Sequence, residues 1–490
     1  MTHASTDPSV LVIFGITGNL SQHMLLPALY HLESEHLLPE KFVIVGVFRR
    51  EPDVDLLLKE AEIQILRSRQ EVDPNVFAAL KNRIHPIKMN STEADDFVRL
   101  KHLLSSLDEA AGTTLNHLFY LAIPPNIFKK VIGNLASSGL NDDSKRASRI
   151  LIEKPFGFDL KSAEDLIGFM SNHFDEKQIF RIDHYLAKET AQNILTFRFN
   201  NPLIEGIWSR QFIDHIQITA IEKIGINGRA AFYEGMGALR DFVQSHLVQL
   251  MALMMMEYPE ELSAANIHKE KLKLLESIEP ILANHVEDVA IRGQYDTYRT
   301  EVSNPKSDVE TFAAVKLEVA NSRWGGVPVL LRTGKGMAEK ATEIAIVFKD
   351  RAGRALSDNL LIIRIQPNEG ISLRLLAKKP GFGNELQPVE MAFNYSGVFN
   401  GHQPDAYQRV LVDAMRGDQS LFATSAEVLA SWRLLQPVLD AWTESKDSPE
   451  IYATGSWGPD CSTEIAAKYG CEWINSVHNV SAPAAQSVPE

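Results

Sequence analysis

The sequence predicts an α/β N-terminal domain with a parallel sheet, followed by an α+β C-terminal domain with a large, mainly antiparallel sheet. Three observations support this fold class. Short apolar strands alternate with helical patterns up to about residue 152, as in parallel sheets covered on both faces. Six strand-like segments follow one another between residues 310 and 395. The length of 490 residues favours two or three domains.

The composition is that of a globular protein with a large core, because 45% of the residues are hydrophobic and 23% are charged. A formal net charge of −14 argues against nucleic acids and anionic membranes as partners. The two cysteines, Cys461 and Cys471, predict a reducing compartment without a disulfide framework. With no signal-peptide pattern and no long apolar run, the expected location is cytoplasmic, and no metal site is expected.

The first strand, residues 10–14, ends on a glycine turn that reads Gly15-Ile-Thr-Gly18-Asn-Leu-Ser, and an apolar helical pattern follows. This order predicts the opening of a Rossmann-like dinucleotide-binding unit. Gly15 permits a sharp turn, and Gly18 leaves room for a diphosphate near the helix N-terminus. Because Gly-x-x-Gly is a short pattern, an ordinary strand-to-helix turn is an equal alternative on this motif alone.

The second strand, residues 42–48, ends on Arg49 and Arg50. Dinucleotide folds bind the adenosine ribose at this position, where an acid holds the NAD hydroxyls and arginine accommodates the 2′-phosphate of NADP. The arginine pair therefore predicts NADP. The neighbouring Glu51 leaves NAD open, and a plain surface loop is the other alternative.

The rest of this domain alternates in the same way. We expect helices over 53–69, 92–107 and 126–137 and strands over 117–122 and 149–152. Two strand ends carry chemistry, at Pro124-Pro125 and at Glu153-Lys-Pro-Phe-Gly157. Lys154 could bind the oxygen of a reacting alcohol beside a nicotinamide, with a surface turn as the alternative. Its bond to Pro155 is a candidate for a cis peptide.

The division between the domains is expected at residue 182, with domains 1–182 and 183–490. Residues 181–189, Arg-Ile-Asp-His-Tyr-Leu-Ala-Lys-Glu, concentrate ionisable groups at this point. If a helix starts here, His184 and Lys188 stand one turn apart on one face, a spacing that suits a phosphate dianion. A solvated helix start is the alternative.

The second domain is expected to hold the general base. We expect helices over 188–199, 236–256 and 404–445 and strands over 211–221, 310–320, 327–332, 343–349, 359–365, 371–377 and 390–395. The helix over 236–256 carries Asp241 and His246. A partly buried histidine with an orienting carboxylate is a ready base near neutral pH, although a satisfied core histidine is the default. Asp183 is a candidate for that carboxylate.

Taken together, the motifs resemble those of glucose-6-phosphate dehydrogenases over nearly the whole chain. The matching segments are 15–18, 153–157, 181–189, 238–246, 324–335, 405–407 and 455–459. A glucose-fructose-oxidoreductase-like enzyme shares the Glu-Lys-Pro motif, but it would not explain 181–189 or 331–335. No single motif is decisive, whereas their joint occurrence in this order is specific.

The resemblance implies NADP-dependent oxidation of glucose 6-phosphate at C1 to 6-phosphogluconolactone, in the oxidative pentose phosphate pathway, by a homodimer or homotetramer. His246 matches the general base, Asp183 the carboxylate that orients it, and Lys154 the lysine between sugar and nicotinamide. Positions that bind the sugar phosphate are matched by His184, Tyr185, Lys188, Glu222, Asp241, Lys335, Lys340 and Gln366. Cofactor positions are matched by Gly15, Thr17, Gly18, Asn19, Leu20, Arg49, Pro124 and Lys154.

Several residues depart from the family pattern. Met24 stands where relatives carry a lysine that faces the substrate site, and the loss of a charge-assisted hydrogen bond costs roughly 1.5–3 kcal/mol. Ala230 and Ala231 replace two glycines, and Ser245 replaces an asparagine. Ala341 replaces a lysine of forms with a second, structural NADP site, so no such site is expected. Two alternatives stay open: attenuated activity or altered specificity, such as another sugar phosphate or dual NAD/NADP use, and a non-catalytic partner of an active dehydrogenase.

Overall fold

The computed structural model describes residues 7–51, 53–67, 71–350, 355–399 and 404–475, which form two compact units. The first unit contains the segment up to Glu189, Pro259–Leu272 and the segment that ends at Trp432. The second contains Thr190–Tyr258, the segment that begins at Lys273 and the segment that begins at Arg433. The chain therefore passes from one unit to the other several times, and the single division at residue 182 stays a prediction.

The described residues form sixteen strands. In chain order they are β1 (Ser9–Phe14), β2 (Phe42–Phe48), β3 (Ile84–Lys88), β4 (Asn116–Leu121), β5 (Ser148–Ile152), β6 (Ile179–Ile182), β7 (Ile213–Ile221), β8 (Ala290–Tyr295), β9 (Phe312–Leu317), β10 (Val329–Gly334), β11 (Ala341–Lys349), β12 (Ala355–Gln366), β13 (Gly370–Lys378), β14 (Leu386–Asn394), β15 (Phe422–Ala423) and β16 (Glu450–Tyr452).

The α-helices within the described residues are α1 (Leu26–Ser34), α2 (Val54–Arg67), α3 (Pro74–Arg83), α4 (Ala94–Ala111), α5 (Phe128–Ser137), α6 (Leu160–Ser171), α7 (Glu189–Phe199), α8 (Pro202–Glu205), α9 (Ala230–Tyr233), α10 (Val248–Met255), α11 (Ala264–Glu276), α12 (Val286–Val289), α13 (Tyr298–Glu301), α14 (Tyr395–Val398), α15 (Ala406–Arg416), α16 (Ser425–Glu444) and α17 (Cys461–Ala467). Ser21–Leu25 and Leu239–Leu247 are π-helices. None of the described helices is long and apolar enough to cross a membrane.

The sheet of the first unit has seven strands in the order β15-β6-β5-β4-β1-β2-β3. Strands β1 to β6 run parallel, and β15 is antiparallel to β6. All six residues of β1 are buried, as expected for a strand with helices on both faces of its sheet. The strand order reverses between β1 and β4. The carboxyl ends of these two strands therefore mark the switch point of a doubly wound, Rossmann-like fold.

The sheet of the second unit has nine strands in the order β14-β13-β12-β11-β7-β10-β9-β8-β16. Its pairs are antiparallel except for β7 with β10 and β8 with β16. Two buried indoles hold the end of α10: Trp208 Nε1 donates to Met254 O (3.0 Å) and Trp324 Nε1 to Met255 O (2.8 Å). These bonds satisfy carbonyls that a helix end leaves without intrahelical partners. The predicted fold class, with a large mainly antiparallel second sheet, is confirmed.

The sequence located most elements but missed those that tertiary contacts define. Residues 404–445 return to helix as expected, in α15 and α16, but the short β15 between them, which pairs with β6, was not expected. Residues 183–188 form a turn, and α7 begins only at Glu189, so the expectation that His184 and Lys188 project from one helix face is wrong. The end of the helix expected over 53–69 lies outside the described residues, since 68–70 are not described.

Candidate active site

Five of the predicted motifs follow parallel strands of the first sheet. Gly15 follows β1, Arg49 follows β2, Pro124 comes after β4, Lys154 after β5 and Asp183 after β6. Because the carboxyl ends of parallel strands meet at one edge of a sheet, all five motifs lie along the same edge. The structure thus brings the predicted cofactor turn and the 183–188 segment to the same sheet edge within the first unit.

The glycine turn can be built only with glycine at its first position. Gly15 has φ +84°, and a Cβ there would lie 2.3 Å from Ala122 O. The turn is closed by hydrogen bonds from Gly18 N (2.9 Å) and Ser21 Oγ (3.0 Å) to Gly15 O. Thr17 and Asn19 are exposed, and Gly18 and Leu20 are partly exposed. This narrow cradle at a helix start fits a diphosphate, which backbone N–H groups bind there.

The acid beside the arginine pair is already engaged. Arg49 and Arg50 are exposed after β2, and Glu51 accepts a salt bridge from Lys88 Nζ at 2.8 Å. An exposed salt bridge of this kind contributes little stability. It nevertheless occupies the Glu51 carboxylate, which would otherwise be free to accept hydrogen bonds from ribose hydroxyls. The pairing favours Arg49 over Glu51 as the residue that contacts the adenosine ribose.

The 153–157 segment is fixed on several sides. The Lys154–Pro155 peptide bond is cis, as the sequence suggested. Gly157 has φ +92°, and a Cβ there would lie 2.6 Å from Ala163 N. Trp432 Nε1 donates to Phe156 O at 3.2 Å. The side chain of Lys154 is partly exposed. The backbone that follows it is held at Phe156 by Trp432 and at Gly157 by close packing against Ala163.

The 183–188 turn is organised by its first residue. Asp183 is buried, and its Oδ1 accepts a hydrogen bond from Tyr185 N at 2.9 Å. Ala187 N donates to Asp183 O (3.3 Å) and Lys188 N to Tyr185 O (3.2 Å), which makes one compact turn. The ring of His184 lies 4.8 Å from that of Tyr185. His184 and Lys188 stay partly exposed, so the turn carries an imidazole and a lysine side chain that reach its surface.

In the second unit, Asp241 and His246 lie on a π-helix rather than on a regular α-helix. The π segment is Leu239–Leu247, followed directly by α10. In a π-helix each hydrogen bond joins residues five apart, so Asp241 and His246 follow one another along the same face. On a regular helix that spacing would turn them apart. Both are buried, at 7% and 1% exposure, and the ring of Phe242 lies 5.5 Å from that of His246.

The start of this π-helix is held by a second buried acid. Glu310 Oε1 accepts a hydrogen bond from Leu239 N at 3.0 Å, and Glu310 O accepts one from Ala238 N at 2.9 Å. Gly237, at φ +69°, leaves the space that the carboxyl group of Glu310 fills, since a Cβ there would lie 2.3 Å from its Oε1. Burial raises the pKa of Glu310.

Lys335 is the centre of a charged cluster at the end of β10. Its side chain is 4% exposed, and its Nζ pairs with Glu222 and lies 4.0 Å from Asp241 Oδ2. The rings of Tyr233 and Phe242 lie 5.3 and 5.4 Å from the same nitrogen. Burial raises the pKa of Tyr233 well above its usual value, so this phenol stays neutral. Two carboxylates around one ammonium leave acceptors for the hydroxyl groups of a polyol.

The remaining predicted residues are placed less tightly. Lys340 is exposed, and Gln366 is partly exposed and donates to Thr342 Oγ1 at 3.3 Å. Asp183 belongs to the first unit and His246 to the second, and their pairing stays a prediction. Met24, in the π-helix Ser21–Leu25, is 41% exposed.

Sequence reasoning missed several residues of these clusters. Tyr233 and Phe242 flank Lys335, and Glu310 caps the π-helix. Phe242 was visible in the apolar pattern of its helix, whereas Tyr233 and Glu310 carried no signal, because only the folded sheet brings them to residues far away in the chain.

A set of metal-ligand types also comes together in the second unit. Ligand atoms of Asp214, His215 and Cys471 lie within 4.8 Å of one another, although the sequence suggested no such cluster. A β-bulge around Asp214 allows adjacent strand residues to share a face. Both ring nitrogens of His215 are engaged, one with Asp214 (2.8 Å) and one with the amide of Gln217 (3.0 Å). Hydrogen bonds therefore join Asp214, His215 and Gln217, whereas the Cys471 thiol donates to Tyr469 O at 3.4 Å. Both cysteines of the chain are free thiols.

The fold and the two clusters define the class of protein. One unit is a doubly wound domain with a glycine turn at its switch point, and the other carries a buried histidine and a carboxylate–lysine cluster. A chain that combines these features is typical of an oxidoreductase that uses a nicotinamide dinucleotide. Residues 12–193 match the family model of the NAD binding domain of glucose-6-phosphate dehydrogenase, and residues 195–474 match that of its C-terminal domain. The chain belongs to the glucose-6-phosphate dehydrogenase family.

Individual relatives agree with this assignment. The glucose-6-phosphate 1-dehydrogenase of Chlamydia muridarum is 42% identical over 96% of this chain and 98% of its own. Glucose-6-phosphate 1-dehydrogenase 2 of Mycobacterium tuberculosis is 40% identical over 95% and 94%. A solved glucose-6-phosphate dehydrogenase in complex with its substrate glucose 6-phosphate superposes with a TM-score of 0.89 at 32% identity, over 96% of this chain and 100% of the other. The Mycobacterium avium enzyme gives 0.82, also at 32% identity, over 96% and 99%.

Proposed function

We propose that the protein oxidises glucose 6-phosphate at C1 to 6-phosphogluconolactone with NADP as hydride acceptor, in the oxidative pentose phosphate pathway. The observation that carries the proposal is the shared carboxyl edge of the first sheet, which gathers the glycine turn, Arg49, Lys154 and the 183–188 turn. Family membership and relatives that carry this enzyme's name support the substrate.

The chain's own residues divide the work of the reaction. Arg49 holds the 2′-phosphate of the cofactor, and the donors His184 and Lys188, with Tyr185, hold the phosphate of the sugar. The carboxylates around Lys335 accept hydrogen bonds from sugar hydroxyls. Lys340 and Gln366 extend this sugar-binding group.

His246 acts as general base on the C1 hydroxyl proton, and Asp183 orients its ring. Lys154 binds the oxygen that loses the proton. NADP, held at the glycine turn and by Arg49, would supply the acceptor for the C1 hydride, so the chain's own residues have only the hydroxyl proton to take up. The burial of His246 supports this role, because a base shielded from water exchanges its proton with the bound substrate rather than with solvent.

The protein is further proposed to act as a homo-oligomer through the face of the second sheet at β13 and β14. Leu375 opposes Val389, and Leu373 opposes Met391, in one apolar stripe. Leu375, Val389 and Met391 are 36%, 44% and 57% exposed. A stripe of this kind on an outer strand is typical of surfaces that a second copy covers. The domain division at 182 and the cytoplasmic location stay predictions from the sequence.

The first experiment measures initial rates of nicotinamide reduction with glucose 6-phosphate, using NADP and NAD separately. The purified chain and a Met24→Lys variant are compared. Robust NADP-linked activity of the unaltered chain is the expected result. Inactivity of both proteins would contradict the proposed function and favour a non-catalytic partner.

A second candidate function is an enzyme of attenuated or altered specificity, and Met24 is the observation that favours it. Its side chain is 41% exposed in the helix that follows the glycine turn, so a lysine there would reach solvent without repacking. Restoration of activity by Met24→Lys, or preference for another sugar phosphate in a substrate panel, would support this candidate.

A further inference from the structure

Directly before Lys154 lies a carboxyl group held by two phenols. Tyr120 Oη donates to Glu153 Oε1 at 2.5 Å. The hydroxyl of Tyr407 is close enough to the same carboxyl group for each to shift the pKa of the other. Both tyrosines are buried, at 0% and 6% exposure. Nothing in the reaction scheme above uses these three residues, although they adjoin the lysine that contacts the reacting oxygen.

The two phenols reach Glu153 from different elements of the first unit. Tyr120 comes from β4, which pairs with β5 in register just before Glu153. Tyr407 comes from the first turn of α15, whose start is fixed by Asp405, since its Oδ1 accepts from Tyr407 N (2.7 Å) and Gln408 N (2.9 Å). The conspicuous Asp405-Ala-Tyr407 motif therefore places a phenol on Glu153.

Burial, opposed by hydrogen bonds and by the charge of Lys154, brings the pKa of this carboxyl group close to neutral pH. Burial raises the pKa of Glu153 to about 7, the bonds from Tyr120 and Tyr407 and the charge of Lys154 oppose the rise, and Asp183 adds to it. Burial also raises the pKa of both phenols well above its usual value, and Asp405 adds to the rise at Tyr407, so the phenols stay donors. Ionised Glu153 thus has a cationic neighbour in Lys154 and two fixed donors.

We propose that Glu153, clamped by Tyr120 and Tyr407, is a positioning residue that holds Lys154 in place for the oxidation of the sugar. The inference rests on the proposed function, because it gives Lys154 its task. In its ionised form Glu153 attracts the ammonium group of Lys154, and the two phenols fix the backbone from which that lysine projects. Glu153 itself contacts neither sugar nor cofactor.

The test compares Tyr407→Phe, Tyr120→Phe and Glu153→Gln with the unaltered enzyme in kcat and KM between pH 6 and 9. Removing one phenol removes a donor to a carboxylate, so the pKa of Glu153 rises by about one unit or more. We expect kcat of either phenylalanine variant to fall about five- to tenfold at pH 7 and to return to within about twofold at pH 9. KM for glucose 6-phosphate should change little.

Relative to the unaltered enzyme, Glu153→Gln should lose more than about tenfold in kcat at pH 9 and progressively less towards pH 6, where unaltered Glu153 is itself mostly protonated, because an amide cannot regain the charge. The matched control is Tyr30→Phe, a buried phenol of the first unit that accepts from Asp73 N at 2.8 Å. It loses one buried hydrogen bond as well, and its kcat should keep a constant ratio to the unaltered enzyme. A pH-independent loss in the Tyr407 and Tyr120 variants, or full activity of Glu153→Gln, would overturn the proposal.

A second measurement needs no activity. The pKa of Glu153 is about 7 in the folded protein and 4.5 in its ordinary, solvent-exposed form. Between these two pH values the carboxyl group is protonated in the folded chain and ionised in the unfolded chain, so the free energy of unfolding decreases as the pH rises. Glu153→Gln lacks this loss. Its folding equilibrium constant relative to the unaltered chain should rise at least about tenfold from pH 5 to pH 7. If the chain fails to oxidise glucose 6-phosphate, the proposed function fails, whereas a flat stability ratio would refute the clamped carboxyl itself.

Discussion

At the scale of single residues, buried charge marks the side chains that the protein can least replace. Lys335, at 4% side-chain exposure, is tolerable only because Glu222 pairs with it and Asp241 lies 4.0 Å away. Outside the site, Lys271 and Glu427 form a comparable buried pair at 3.0 Å, with His268 on the second carboxylate oxygen. Burial alone thus does not separate functional from structural charges, and the chemistry of the neighbours must.

Replacement of His246 by asparagine tests the proposed base. Asparagine keeps a polar side chain in the buried site but cannot take up the C1 proton, so turnover should fall by roughly 10²–10⁴ while substrate binding survives. Steady-state kinetics and a binding titration with glucose 6-phosphate measure the two effects. The control is His215→Asn, another buried histidine of the second unit that we place outside the site. A near-normal rate for His246→Asn would remove this residue from the mechanism.

Replacement of Lys188 by alanine tests the proposed phosphate site. The loss of a charge-assisted hydrogen bond should raise KM for glucose 6-phosphate roughly ten- to a hundredfold, with a smaller effect on kcat. Lys177→Ala is the matched control, because Lys177 is an exposed lysine of the first unit that pairs with Asp143 at 2.8 Å. An unchanged KM for the Lys188 variant would contradict the phosphate assignment.

At the scale of elements, the two helices that carry the predicted chemistry both contain π segments. Ser21–Leu25 follows the glycine turn, and Leu239–Leu247 carries Asp241 and His246. A π segment spaces residues five apart along one face, which a regular helix cannot do. The wide helix therefore explains how a carboxylate and a histidine at positions i and i+5 lie along the same helix face.

The turn after β1 offers a test at this scale through Gly15→Ala. A Cβ at this position would lie 2.3 Å from Ala122 O, and alanine disfavours φ +84°. The strand and helix must then shift, so we expect the affinity for NADP to fall at least about tenfold and the melting temperature to drop. Fluorescence titration with NADPH and thermal unfolding measure both.

Gly168→Ala in α6 is the control for this variant. A Cβ at Gly168 would meet no atom of the described residues within 4 Å, its φ is not positive, and alanine favours helix by about 1 kcal/mol over glycine. This variant should keep its NADP affinity and gain slightly in stability. Equal NADP affinity for the two variants would show that the tight approach at Gly15 does not shape the cofactor site.

At the scale of the whole molecule, the exposed stripe on β13 and β14 predicts assembly. Val389→Asp combined with Met391→Asp places two charges on this stripe, and charges on a covered apolar face are costly. We expect the variant to sediment as a monomer where the unaltered chain sediments as a dimer or tetramer, measured by analytical ultracentrifugation.

Leu203→Asp in α8 is the control for assembly, because Leu203 is 80% exposed and lies on a helix rather than on the stripe. It should leave the sedimentation of the protein unchanged. A monomeric unaltered chain, or a double variant that assembles normally, would exclude the sheet face as the interface.

Predictions from the sequence were most accurate for features that neighbouring residues determine. Phe42–Phe48 was predicted with the bounds that the structure gives, because a continuous apolar, β-branched run is enough to mark a buried parallel strand. The cis bond at Lys154 was suggested from its proline alone. The turn at 183–188 was mistaken for a helix start, because Asp183 binds the backbone of Tyr185 and ends the strand locally.

The sequence by itself determined the fold class, the family and the order of the motifs, because apolar periodicity, glycine turns and short motifs are written in neighbouring residues. Only the tertiary structure decided that β15 completes the first sheet, that Glu310 caps the π-helix and that Tyr120 donates to Glu153. These contacts join residues that are far apart in the chain. Their partners are chosen by packing and buried hydrogen bonding, which no local pattern records.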